Sequence, residues 1–209
     1  MSTFEKGPGF SAEWSEDKEL LEKADKLADF YRKKLQEISL ETSLEEEVLV
    51  HFTNNDNLAA ISSKNPVLLN NSSFYDCDRE YLASQGFDID TFEKQFGSPN
   101  SLVAIPLKSF EKWIGSKSWV KLAQRGTLDN VVVFTILRQD VILRDHQYIE
   151  KAFDRQLAGQ TREEIYQDQV QYFNSTVQYG EQDLNKQMWE AWVPHQVNLS
   201  KYKIISYQE

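Results

Sequence analysis

The sequence predicts an α+β domain whose strands come from distant parts of the chain, with helices on its flanks. Three observations predict this class. Short runs rich in β-branched and aromatic residues recur from Glu47 to Tyr207, helix-capping signals fall between them, and a long stretch of helical periodicity precedes them all.

That first stretch, SEDKELLEKADKLADFYRKKLQEIS, begins at Ser15. It places apolar residues at Leu20, Leu21, Ala24, Leu27, Ala28, Tyr31, Leu35 and Ile38, the spacing of one amphipathic helix. Ser15 is the expected N-cap; Glu16 and Asp17 suit the positive end of the helix dipole, and Arg32, Lys33 and Lys34 lie towards its negative end. The acidic run LETSLEEE follows. The chain is therefore expected to divide into an N-terminal helical extension, residues 1–46, and a core domain, residues 47–209.

The core opens on EVLVHFT, a strand, and NNDNLAAISSK supplies Asn and Asp caps for a short helix after it. Further strands are expected at Val67 to Leu69, Leu102 to Leu107, Val131 to Leu137, Val141 to Leu143, Met188 to Val193 and Lys203 to Tyr207. Asp90 with Glu93 and Thr161 with Glu164 have capping-box spacing, and Gly159 is placed to end a helix over Gln147 to Leu157. The stretch NNSSFYDCDREYLASQGFD, Asn70 to Asp88, has no clean period and reads as a loop.

Composition narrows the function. A chain of 209 residues with 40% hydrophobic content buries one sizeable core. The single cysteine, Cys77, cannot make an intramolecular disulfide, which points to a reducing cytoplasm, of the producing cell or of a target cell. No apolar run approaches the ~20 residues of a membrane span, so a membrane partner is not expected. A net charge of -10 opposes broad clamping of nucleic acid, because phosphates meet a repulsive mean field. His51, His146 and His195 are the only histidines and lack the spacing of a metal-binding helix; no metal is expected. Neither GxGxxG nor a P-loop is present, nor a GxSxG elbow. Cys77 with His51 as a thiol–base pair is less favoured than Cys77 as a small buried hydrophobe.

One residue is out of place. In KQMWEAWVPHQVNL, Glu190 follows Trp189 and precedes Ala191 and Trp192, and alternation puts it on one face with Met188 and Trp192. A carboxylate there is costly unless something needs it.

VLVHFTNNDNLAAI and KQMWEAWVPHQVNLSKY together resemble the two diagnostic ends of an ADP-ribosyltransferase domain, most closely the DarT-like branch of DNA ADP-ribosyltransferase toxins of toxin–antitoxin pairs. The first matches at His51, Phe52, Thr53, Asn57, Leu58 and Ile61, the second at Glu190, Ala191, Trp192, Val193, Pro194, Val197 and Leu199. The resemblance implies a split, mixed or antiparallel sheet holding NAD as substrate in its cleft. It implies that His51 holds the adenine-side ribose, that Thr53 and Asn57 also contact NAD, and that Glu190 is the catalytic carboxylate. A fixed carboxylate would stabilise the cation-like sugar left by nicotinamide departure, a charge present only in the transition state. By position, the loop after the His helix supplies the middle element; Tyr75 for stacking and Arg79 for the pyrophosphate are the candidates, although Arg79 in DCDRE most simply pairs with neighbouring acids. Met188 stands where the arginine-modifying branch has a second Glu, which disfavours protein arginine as acceptor.

The expected function is therefore an NAD-dependent mono-ADP-ribosyltransferase acting on a macromolecule, nucleic acid or protein, as a toxin, effector or defence enzyme with an antitoxin or immunity partner. Two alternatives stand beside it: an acidic, non-catalytic interaction or immunity protein of transferase-like shape, and an NAD glycohydrolase.

Overall fold

The computed structural model describes residues 17–55, 58, 67–68, 83–84, 86, 88, 102–180, 182–193 and 197–207. Helix α1 spans Lys18–Gln36, and its N-cap is Asp17 rather than Ser15, which lies outside the described residues. The Asp17 carboxylate accepts from the amides of Glu19 and Leu20 at 3.0 and 3.1 Å, satisfying donors that the first turn leaves free. The buried stripe of α1, Ala24, Leu27, Ala28, Tyr31 and Leu35, joins one apolar cluster with Val50, Phe52, Ile105 and Val131. Tyr31 donates to the Leu128 carbonyl at 2.6 Å and Trp119 donates to the Ala24 carbonyl at 2.9 Å. The expected extension is thus, over α1, a layer of the core itself.

Strand β1 (Glu46–Thr53) leads into the short β2 (Val67–Leu68), then β3 (Leu102–Pro106), β4 (Asn130–Leu137), β5 (Ile142–Asp145), β6 (Val177–Gln178), β7 (Trp189–Val193), β8 (Val197–Asn198) and β9 (Tyr202–Ser206). Seven of these form one antiparallel sheet in the order β6-β5-β7-β3-β1-β4-β9, and β2 pairs with β8 separately. Helix α2 (Phe110–Trp113) and α3 (Lys117–Gln124) follow β3; α4 (Gln147–Leu157) and α5 (Arg162–Asn174) follow β5. Gly159 takes φ 68° just past α4, and Thr161 with Glu164 makes the reciprocal capping box at the start of α5. Among the described residues no helix is long and apolar enough to cross a membrane.

The two faces of the sheet are packed differently. Towards the helices point Val50, Phe52, Ile105, Val131 and Val133, against α1 and α3, and then Ile142 and Trp192, against Ile149 of α4 and Tyr172 and Phe173 of α5. The other face carries Leu49, Leu102, Ala104, Val132, Phe134, Trp189, Ala191 and Val193, covered partly by Leu184, Val197 and Leu199. Alternation along each strand produces this division, since successive side chains leave a strand on opposite sides.

Candidate functional site

His51 lies where the sheet begins to open. β1 pairs with β4 along its whole length, from Glu46 opposite Leu137 to Thr53 opposite Asn130. With β3 it pairs, among the described residues, only at Leu49 opposite Pro106 and Val50 opposite Ile105. Beyond Val50 the β1–β3 register pairs end, and the His51 ring reaches across to β3, its Nδ1 at 2.8 Å from the Val103 carbonyl. A carbonyl can only accept, so Nδ1 carries the proton. Burial holds the ring below its ordinary pKa, more strongly than the Val103 bond raises it, and the imidazole is therefore neutral with Nε2 left as an acceptor.

Register decides what else shares that face. Val50 is paired with Ile105, and antiparallel partners project to the same side, so His51 projects with Ala104. Ala104 is paired with Ala191, which places Glu190 on the opposite side, together with Trp192 and its partner Val103. His51 and Glu190 thus project from opposite faces of the sheet. The expectation that they converge on one dinucleotide is not met, because both sit on strands flanking β3 but differ by one residue in phase.

The Glu190 environment is closed. The residue is 4% exposed. The Tyr172 hydroxyl donates to Oε2, and the Trp192 indole donates to the same oxygen at 3.1 Å and to the Tyr172 oxygen at 2.9 Å. His146 Nδ1 stands 3.6 Å from Oε2, too far for a hydrogen bond, while its Nε2 lies 2.7 Å from the Ser118 hydroxyl. The Trp113 ring packs over His146 at 4.2 Å between centroids. Opposite Glu190 in the β5–β7 register is Arg144, fully buried, with its guanidinium 4.0 Å from the centre of the Trp192 ring. Burial by itself would raise the Glu190 carboxyl, yet His146 and the Tyr172 and Trp192 donors hold it below the ordinary carboxylate range.

This explains a strand that keeps a carboxylate among tryptophans. The carboxylate is hydrogen-bonded by Tyr172 of helix α5 and by Trp192, with His146 beside it, so removing it would orphan several buried groups at once. Glu190, expected as the catalytic carboxylate facing NAD, is here an anchor between the sheet and the helices.

Of the other expected contacts, Thr53 is buried on the His51 face, two residues along β1, and is paired with Asn130. Asn57, Tyr75 and Arg79 lie outside the described residues. Sequence reasoning missed His146, Tyr172 and Arg144. A signal existed for Arg144: in VILRD it is a lone cation ending an apolar run, the same kind of anomaly as Glu190, and the two anomalies are each other's cross-strand partners. His146 and Tyr172 carried no such mark, because only the packing of α4 and α5 on the sheet brings them to the carboxylate. Among the described residues no group of three His, Cys, Asp or Glu side chains converges as a metal site.

Compared with known proteins, the chain matches no family model, no curated protein and no solved structure.

Proposed function

We propose that the chain binds NAD on the His51 face of its sheet, at the opening between β1 and β3, and acts as a mono-ADP-ribosyltransferase towards a macromolecular acceptor. The observation that carries this reading is the state of His51. Its ring reaches from β1 to β3 past the end of their ladder with Nδ1–H fixed on Val103, so a neutral Nε2 acceptor is set to take a ribose hydroxyl. The two resembling segments supply the choice of NAD among nucleotides, and their strands, β1 and β7, flank β3 in one sheet. In this reading Glu190 holds the helix layer and does not touch the sugar.

A second reading is favoured by the closure around Glu190. A Glu190 whose carboxylate serves packing alone suits a non-catalytic interaction or immunity protein. Incubation with NAD labelled in the adenosine half separates the two. The transferase reading expects label on a macromolecule, diminished about tenfold by His51→Ala, the equivalent of roughly 1.4 kcal/mol of transition-state binding. Free ADP-ribose as sole product would identify an NAD glycohydrolase instead. NAD that is neither bound nor consumed leaves the interaction protein.

A further inference from the structure

The His51 face carries a second polar feature, at the point where β1 ends. Asn130 opens β4, is 1% exposed, and is the register partner of Thr53, so it projects on the same side as His51 and Thr53. Its amide Nδ2 donates to Asn55 Oδ1 at 2.8 Å. Asn55 is exposed and stands just past β1, where the chain turns: the Leu58 amide donates to the Asn54 carbonyl at 3.0 Å, closing one helical turn over it. A buried amide thus holds an exposed one from beneath. A side-chain amide has two ends of opposite character. With Asn55 Oδ1 engaged by Asn130, the end left to face outward is the Nδ2 donor.

We propose that Asn55 is a further nucleotide-contacting residue, with Asn130 its positioning partner. Asn130 fixes the Asn55 amide so that an N–H donor meets acceptor atoms of the nucleotide held on the His51 face. This rests on the reading of that face as the NAD site. The two residues then divide the work by chemistry: His51 Nε2 accepts from a sugar hydroxyl, and Asn55 donates to a pyrophosphate oxygen. Asn130 touches no ligand and acts only through Asn55.

The test is NAD titration by calorimetry against the full chain, with melting temperature recorded for every variant. Asn55→Asp keeps an oxygen for Asn130 and replaces the outward donor with a negatively charged acceptor. The expected result is an affinity at least tenfold weaker at unchanged melting temperature, because the site is exposed. Asn55→Ala should weaken binding about tenfold, and Asn130→Ala on the Asn55→Ala background should weaken it no further, the signature of a residue that acts through its neighbour. Adenosine, which lacks the pyrophosphate, should bind the wild type and Asn55→Asp alike. NAD binding by Asn55→Asp equal to that of the wild type overturns this inference and leaves the His51 site standing. Absence of NAD binding by the wild type overturns the site and the inference together.

Discussion

The two faces of the sheet treat a polar side chain in opposite ways. On the helix side Glu190 is buried: Tyr172 and Trp192 donate to its carboxylate, and His146 stands beside it. On the other side His51 is half-buried, makes its bond to a neighbouring strand's carbonyl, and keeps one nitrogen as an acceptor at a place where the β1–β3 ladder has ended. A buried polar group bonded within the core contributes to fold specificity and stability, whereas one held rigid with unused hydrogen-bonding capacity has an atom to offer a ligand. The difference teaches that a misplaced charge in a sequence marks demand for a partner, and that the partner can be internal.

That contrast can be broken most forcefully at Trp192. Its ring lies under the Arg144 guanidinium and its indole donates to Glu190, so Trp192→Ala should cost about 3–5 kcal/mol in urea unfolding. Glu190→Ala should cost a comparable ~3–5 kcal/mol, because it leaves the buried Tyr172 hydroxyl and Trp192 indole without their acceptor, while Glu190→Gln, which keeps an acceptor, should cost about 1–3 kcal/mol. These signs matter more than the sizes. A carboxylate kept for substrate is commonly a stability burden whose neutralisation stabilises the fold, so a more stable Glu190→Gln would contradict the anchor assignment. Tyr172→Phe removes one buried donor to the same oxygen and should cost about 1–2 kcal/mol in the same assay.

The smallest and most discriminating effect is in pH dependence. Glu190 is depressed in the folded state, so its stabilisation is present above the ordinary carboxylate value of 4.5 and is lost as pH falls through the lower folded value. His51 is also depressed, but as a base: the unfolded chain takes up its proton first, so stability is full above about 6.5 and declines as pH falls below it. Unfolding curves across pH 3 to 8 should therefore lose the acidic component in Glu190→Gln and the near-neutral component in His51→Gln, each independently of the other.

Much of this architecture was legible in the sequence. The α1 stripe, the capping box at Thr161 and the strand runs are local patterns, written in period and turn chemistry. The alternation that groups Met188, Glu190 and Trp192 was legible too, and all three are buried. What escaped was phase between strands. Whether His51 and Glu190 share a face depends on the β1–β3 and β3–β7 registers, and a shift of one residue in either reverses the answer. β6 and β8, of two residues each, are too short to show a period, and β6 exists because β5 offers it an edge. The Asn55–Asn130 pair joins residues 75 apart in the chain and depends on the β1–β4 register in the same way.

In the proposed NAD site the nucleotide meets the His51 face and leaves the Glu190 face untouched. The most direct test is a proton–nitrogen NMR titration of the full chain with NAD, following the His51 imidazole and the Trp192 indole N–H that is bonded to Glu190. The account predicts that the His51 signals move in a saturable way while the Trp192 indole stays where it was. Movement of the Trp192 indole at the same NAD concentrations, or a silent His51, would contradict it.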